Sequence, residues 1–300
     1  MEMAFDMTSA RAAPGAGSMS IPGSGFAGVG LSTTLDAAVK MCRWRLEGRP
    51  AWAKLRYLQI GVYSHEDVPD ELPALLRAAG LVAVVHLLEL SLMRPMDPQA
   101  ELLDRLLPRI ARLGPVCVEE DMGLWRWGQI DLEQHMLPPV FDRESLDMIA
   151  GNAARLQAAF GVPFLVENPP IYFDLGTIDL LSFMREVAER AGCGLVLDIG
   201  HLIGYCAATG RDPEEYLQSW TGIEHVRELH IAGYNLLPDM ASAPMWYDNH
   251  ADPISEYSLG LVALARRCAG RALPITLEQE GATFGRIAQH VERVAGSFDP

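Results

Sequence analysis

The sequence predicts a closed parallel (β/α)8 barrel, and three features carry that expectation. Eight short apolar, often β-branched runs recur along the chain, segments with helical spacing lie between them, and almost every run ends on an imidazole or a carboxylate. The runs cover 25–31 (GFAGVGL), 55–62 (LRYLQIGV), 81–88 (LVAVVHLL), 116–120 (VCVEE), 164–168 (FLVEN), 194–199 (GLVLDI), 226–232 (VRELHIA) and 274–279 (PITLEQ). The competing arrangement is an open doubly wound sheet, which would carry a glycine-rich phosphate turn after its first strand. GVGLSTTLD contains no GxGxxG. No internal repeat accompanies the alternation, so a solenoid is not expected.

Helix signals separate the runs. DPQAELLDRLLPRIARLG, DRESLDMIAGNAARLQAAFG, GTIDLLSFMREVAERAG and DPEEYLQSW each open near a capping Asp or Thr with acidic residues close by, and several close on Gly. The first 24 residues are rich in Gly, Ala, Ser and Pro without a sustained period, which reads as a flexible tail preceding one barrel over 25–300.

Composition bounds the function. With 300 residues, 49% of them apolar, the chain can bury a sizeable core. Its apolar runs stop well short of the ~20 residues of a membrane span, and the start shows no signal-peptide pattern, so a soluble cytoplasmic protein is expected. Five cysteines form no CxxC pair and are odd in number, which argues against a disulfide framework. A net charge of −15 disfavours nucleic acid as a partner, because phosphate binding needs clustered Lys and Arg. The same acid excess suits a site built from carboxylates around cations.

In a (β/α)8 barrel the C-terminal strand ends converge on one mouth. Taken in order they deliver His86; Glu119, Glu120 and Asp121; Glu167 and Asn168; Asp198 and His201; His230, with Asp248 and His250 in its following loop; and Glu278 and Glu280. One such residue alone would be an ordinary polar cap. The set would repel and desolvate itself unless positive charge sat among it, and a metal cluster is the economical answer. Imidazoles and carboxylates without thiolates suit Fe, Zn or Mn and disfavour an iron–sulfur centre. In YDNHADP, Asp248 and His250 stand two apart, able to reach one ion from an extended loop.

These stretches also resemble a known family. HMLPPVFDRESLDMIAGNAARLQAAFGVPFLVENPPIYF, FMREVAERAGCGLVLDIGHL, ELHIAGY, WYDNHADPI and TLEQEG together look like the multinuclear non-haem iron-dependent oxidative enzymes (MNIO). That family includes the methanobactin-biosynthesis oxidase and lies within the xylose-isomerase-like barrel superfamily. The resemblance implies metal ligands at His86, Glu167, Asp198, His230, Asp248, His250 and Glu278. Glu167 would bridge two ions, with Asp198, His230 and Glu278 completing the shell of one. It further implies two or three iron ions, O2 as co-substrate, a cysteine of a ribosomally made precursor peptide as substrate, and a small peptide-recognition protein as partner.

Several positions depart from the family pattern. The second strand reads LQIGVYS where relatives carry a His-containing E-x-H-x-E-N-Y, Asp121 replaces a strand-four His, Gly200 and His201 replace an asparagine pair, and Tyr234 replaces the second His of H-x-A-G-H. The expected result is two well-held ions, one on Glu167, Asp198, His230 and Glu278 and the other on His201, Asp248 and His250, with a third near His86 weak or absent. Asp121, Glu120, Asn168, Tyr234 and Glu280 stand as further ligands or as neighbours of the ligands, and Trp125 and Trp127 as walls of the mouth. No catalytic acid, base or nucleophile is assigned. The D-x-x-H after strand six also looks like the three-metal endonuclease IV branch of the superfamily, so a metal-dependent hydrolase or isomerase is the alternative, followed by a non-catalytic metal- or peptide-binding protein.

Overall fold

A computed structural model describes residues 26–127, 130–132, 136–173, 175–237, 245–248, 250 and 253–298. The tail expected over 1–24 lies outside them. Eight parallel strands close into a barrel: β1 (Val29–Thr33), β2 (Tyr57–Val62), β3 (Val82–Leu87), β4 (Val118–Asp121), β5 (Phe164–Glu167), β6 (Gly194–Asp198), β7 (Val226–Ala232) and β8 (Ile275–Glu278), with β8 pairing β1 to complete the ring. The principal helices following them are α1 (Leu35–Leu46), α2 (Leu72–Ala79), α3 (Ala100–Leu113), α4 (Arg143–Phe160), α5 (Leu180–Ala191), α6 (Ile199–Thr209), α7 (Glu256–Ala269) and α8 (Phe284–Phe298).

The expected fold class is therefore observed, with local differences. The first strand begins at Val29 rather than at 25, directly after Gly28, whose φ of 76° is a turn conformation. It runs on through the polar Ser32 and Thr33 because these pair with Gln59 and Ile60 of β2. Helix α6 starts at the end of β6, where the reading from sequence continued the strand through Ile199. Asp198 Oδ1 accepts the His201 backbone N–H at 2.6 Å and caps that helix. Asp142 and Asp179 cap α4 and α5 in the same way, and Gly161 and Gly192 end them at φ 67° and 64°. Two short antiparallel hairpins, Arg126–Trp127 with Ile130–Asp131 and Tyr234–Leu237 with Met245–Asp248, are additions the strand reading did not contain.

Side chains two apart on a strand face the same way, and this period builds the barrel interior in layers. Tyr57, Val84, Cys117, Leu165 and Val196 pack together as an apolar floor. Two residues further along the same strands stand Gln59, His86, Glu119, Glu167 and Asp198, so apolar packing gives way to polar groups towards the mouth. The main hydrophobic core lies outside the ring, where Leu58, Ile60, Phe164 and Leu197 meet helix residues such as Leu106, Phe183 and Val262. Among the described residues, no helix is long and apolar enough to cross a membrane.

Candidate metal centre

Parallel register brings the strand-end donors to one level. Asp121 pairs with Glu167 and Asp198 with His230, while Glu278 ends β8 opposite Ala232. One donor atom from each of Glu167, Asp198, His230 and Glu278 lies within 4.8 Å of the others, and all four residues are buried. His230 Nδ1 sits 3.1 Å from Glu167 and 3.3 Å from Glu278. A second group, His86, Asp121 and Glu167, meets the same criterion. His86 Nε2 lies 3.4 Å from Asp121 and 3.8 Å from Glu167. A third group, Glu119, Glu228 and His230, meets it on the Nε2 side of the His230 ring. Glu167 thus stands in the first two groups, and Asp121 adds a carboxylate where the resemblance implied an imidazole.

The electrostatics of these groups favour a cation. Asp121, Glu167, Asp198 and Glu278 are four carboxylates facing two imidazoles. Even with both rings protonated, two negative charges would remain, the charge one divalent ion brings. Burial would lower the basicity of His86, but the adjacent Asp121 outweighs it and holds the imidazolium up to about 10. Burial opposes charge on His230 too, and Glu167 and Glu278 raise it well above the usual histidine range. Burial pushes the Glu167 carboxyl up in spite of His230. At Glu278 burial is overcome by His230 and His250, which bring the carboxyl down to about 2. His86 Nε2, Asp121 Oδ1 and Glu167 Oε2 are buried and make no hydrogen bond. Three orphaned atoms from one donor group are what a missing common partner leaves behind.

The remaining candidates divide by what they touch. Glu120 is committed elsewhere: Oε1 accepts from Trp125 Nε1 at 2.8 Å and from the Asp121 N–H at 3.0 Å, and Oε2 accepts from the Leu90 N–H at 3.2 Å. It ties the loops after β3 and β4 together beneath the buried Trp125, whereas Trp127 is exposed. Asn168 clamps the end of β6, its Oδ1 accepting the Asp198 N–H at 2.8 Å and its Nδ2 donating to the Asp198 carbonyl at 3.0 Å. The Asn168 carbonyl lies 2.6 Å from His201 Nδ1. A carbonyl can only accept, so Nδ1 carries a proton and donates to it. Nδ1 is also 3.7 Å from both Glu167 and Asp198, which places this ring beside the four-residue group.

His250 adopts φ 52°, a left-handed conformation uncommon outside glycine. Its Nδ1 lies 2.9 Å from Glu280, which also accepts from Ser32, and its Nε2 is 3.6 Å from Glu278. The contacts described for His201 thus run to β5 and β6, and those for His250 to β8. The Asp248 backbone pairs with Tyr234, while its side chain lies outside the described part of the structure. Tyr234 bonds Ser255 at 3.2 Å and joins Pro170, Ile171, Tyr172, Gly200 and His201 around a small surface cleft.

Of the polar residues on the Nε2 side of His230, the strand ends gave Glu119 and missed the others. Gln59, Glu119, Glu228, Tyr57 and Thr276 form a buried polar column that reaches His230 from below. The period-two pattern held the signal: Glu228 precedes His230 by two, Thr276 precedes Glu278 by two, and Glu119 precedes Asp121 by two.

The sequence model for "RiPP precursor modification enzyme MbnB/TglH/ChrH" matches residues 61–296, where RiPP denotes a ribosomally synthesised and post-translationally modified peptide. A UPF0276 protein of Caulobacter vibrioides (strain NA1000 / CB15N) is 32% identical over 174 residues, 57% of this chain and 61% of the relative. The UPF0276 protein BPP1075 of Bordetella parapertussis is 30% identical over 212 residues, covering 66% of this chain and 71% of that protein. This chain therefore spans about three fifths of the length of the Caulobacter relative it matches. Among solved structures, a xylose isomerase-like TIM barrel protein from Mycobacterium smegmatis in complex with magnesium aligns with a TM-score of 0.57 and 16% identity, over 87% of this chain and 88% of its own. The TTHB071 protein from Thermus thermophilus, soaked with ZnCl2, aligns with a TM-score of 0.55 and 21% identity, over 91% and 99%. At these identities the structural likeness speaks to the barrel alone.

Proposed function

Because the chain belongs to the MbnB/TglH/ChrH family of RiPP precursor modification enzymes, we propose that it is a multinuclear non-haem iron enzyme that uses O2 to modify a cysteine of a ribosomally made precursor peptide. The observation that carries this reading is Glu167, one buried carboxylate shared by two compact donor groups, one oxygen of which has no hydrogen-bond partner. The donors fit iron: the groups comprise imidazoles and carboxylates and include no thiolate. Glu167, Asp198, His230 and Glu278 would hold one ion, and His86, Asp121 and Glu167 another. His201 and His250, whose rings stand near Glu167 and Glu278, are further candidates, together with Asp248 as the sequence resemblance implies. Iron bound there supplies Lewis acidity and one-electron chemistry with O2.

The chain's own residues supply placement. Asn168 fixes the end of β6 through its two bonds to Asp198, so the carboxylate that caps α6 cannot drift from the centre. The Asn168 carbonyl also accepts from His201 Nδ1, which orients the ring. Glu280 holds His250 through Nδ1 and directs its Nε2 towards Glu278. Depth excludes bulk water, since Glu167, Asp198 and His230 are 1%, 0% and 0% exposed. A small recognition protein would present the peptide at the barrel mouth.

Coexpression with a short Cys-bearing peptide encoded beside this protein, together with any adjacent recognition protein, tests the proposal. An O2-dependent change in peptide mass that Glu167→Ala abolishes is the expected outcome. An unchanged peptide in the presence of iron-loaded protein and partner would refute it.

A further inference from the structure

The middle layer of the barrel is unusual for this fold. Inward positions of a (β/α)8 barrel are mostly filled by branched aliphatic side chains, and the floor conforms with Val84, Leu165 and Val196. Between that floor and the mouth, Gln59, Glu119, Glu228 and Thr276 surround His230 and are all fully buried. Tyr57 and Thr276 donate their hydroxyl protons to Glu228 Oε1 at 2.9 and 2.5 Å, and Gln59 Nε2 donates to Glu119 Oε1 at 2.6 Å. A buried network of this kind rigidifies what it surrounds. Its upper neighbour is His230. The Gln59 amide nitrogen lies 3.0 Å from His230 Nε2, across the ring from the Nδ1 that faces Glu167 and Glu278.

We infer that Gln59 is a positioning residue that fixes which nitrogen of His230 faces the metal centre, its side-chain amide presenting an acceptor to Nε2. This rests on the reading of the mouth as a metal centre. A divalent cation takes a neutral imidazole through the lone pair of one nitrogen, and the other nitrogen then carries the proton. With Nδ1 on the cation, Nε2 is an N–H donor and the group facing it has to accept. A primary amide meets that demand without moving its carbon skeleton, because a half-turn exchanges its donor and acceptor ends. Gln59 Oε1 is buried without a hydrogen-bond partner, so the acceptor is at hand, and presenting it to His230 gives up the bond that the Gln59 nitrogen makes to Glu119. Glu119 and Glu228 lie 3.7 and 3.9 Å from Nε2, beyond hydrogen-bond reach, so neither replaces the amide where it stands. Strand β2 ends without a metal donor, and its contribution is made one layer lower.

The full chain, stripped with a chelator and titrated with Zn2+ as a diamagnetic probe, decides the matter in wild type, Gln59→Met and Gln59→Glu. Affinity is read by competition with a fluorescent chelator, and the histidine ring nitrogens by long-range 1H–15N correlation. Wild type loaded with Zn2+ should show His230 bound through Nδ1 and protonated at Nε2. Gln59→Met, which keeps the volume and loses the acceptor, should bind about 10–100-fold more weakly. Gln59→Glu, which keeps an acceptor, should return affinity to near the wild-type value. Equal binding by wild type and Gln59→Met overturns the inference, as does equal loss in both variants, which would mark Gln59 as packing alone. Should Gln59→Met not fold, the wild-type spectrum decides, and coordination through Nε2 refutes the assignment. A wild-type chain that binds no divalent ion sinks the metal-centre reading and this inference together; binding indifferent to Gln59 sinks this inference alone.

Discussion

Replacing Glu167 with glutamine should destroy metal binding and leave the metal-stripped protein at least as stable as before. The two donor groups at the mouth each lose a charged oxygen, because Glu167 belongs to both. A ligand at 100 times its dissociation constant stabilises a fold by about 2.7 kcal/mol, so two ions contribute roughly 5 kcal/mol. At about 2–4 °C per kcal/mol for a large domain, wild type should melt on the order of 10 °C higher when loaded. Burial followed by the charges of Asp121 and Glu278 pushes the Glu167 carboxyl above its usual range. An upward shift in a carboxyl means that its ionised form is disfavoured in the folded chain, so an uncharged isostere relieves the stripped protein. The assay is a thermal melt of chelator-treated wild type and Glu167→Gln with increasing divalent metal under argon, paired with bound-metal analysis. Glu167→Gln should show no metal-dependent rise and a stripped melting point equal to or above wild type. A variant that still holds its ions, or one whose stripped form melts far below wild type, would refute the shared-ligand assignment.

Other perturbations separate ligands from supports. Glu120→Ala leaves three N–H groups without their acceptor; at about 1–3 kcal/mol each it should cost at least 3 kcal/mol in a denaturant titration. Its bound-metal count should equal that of wild type, and a lost ion would restore Glu120 as a ligand. Cys42, Cys117, Cys193 and Cys206 are buried, and burial pushes the thiols of Cys42 and Cys193 up to about 11 and 12. Iodoacetamide at pH 8 should therefore modify at most the half-buried Cys268 of the native chain, and rapid labelling of the others in intact-mass analysis would contradict the packing. Asp179 caps α5 through Ser182 and accepts the Tyr216 hydroxyl at 2.5 Å. Burial would raise its carboxyl, but the Tyr216 and Ser182 hydrogen bonds outweigh it and lower it. The stabilisation is thus present above the unfolded value of about 3.9 and is lost as pH falls through the lower folded value. Asp179→Ala should cost about 1 kcal/mol at neutral pH, a difference that closes on acidification; one independent of pH would exclude the charged cap.

How legible each part was depended on how many physical signals agreed there. The strands read well because β-branched runs such as VAVVHL and GLVLD are bounded by turn or capping residues. Helix α6 escaped because IGHLIGYCAAT is apolar on nearly every side, leaving no helical period to detect, and because its capping residue is also a donor. The hairpin of Arg126–Trp127 and Ile130–Asp131 has two-residue strands, too short for any alternation to register. At the mouth, strand-end chemistry marked Glu167, Asp198, His230 and Glu278, which the fold then brought together. The run Glu119–Glu120–Asp121 was ambiguous because only register against β3 and β5 shows which side chains face inward. Asp121 reaches the donors, Glu119 turns down to Gln59, and Glu120 serves the loops. Gln59 and Glu228 lie mid-strand, where a polar residue looks like a surface position until the ring closes around it.

The measurement that tests the central claim most directly is metal identity and count after anaerobic purification. Elemental analysis should return iron at two or more ions per chain, falling below one in Glu167→Ala. Zinc alone, with function restored by zinc after chelation, would contradict the oxidative assignment and point to metal-assisted hydrolysis.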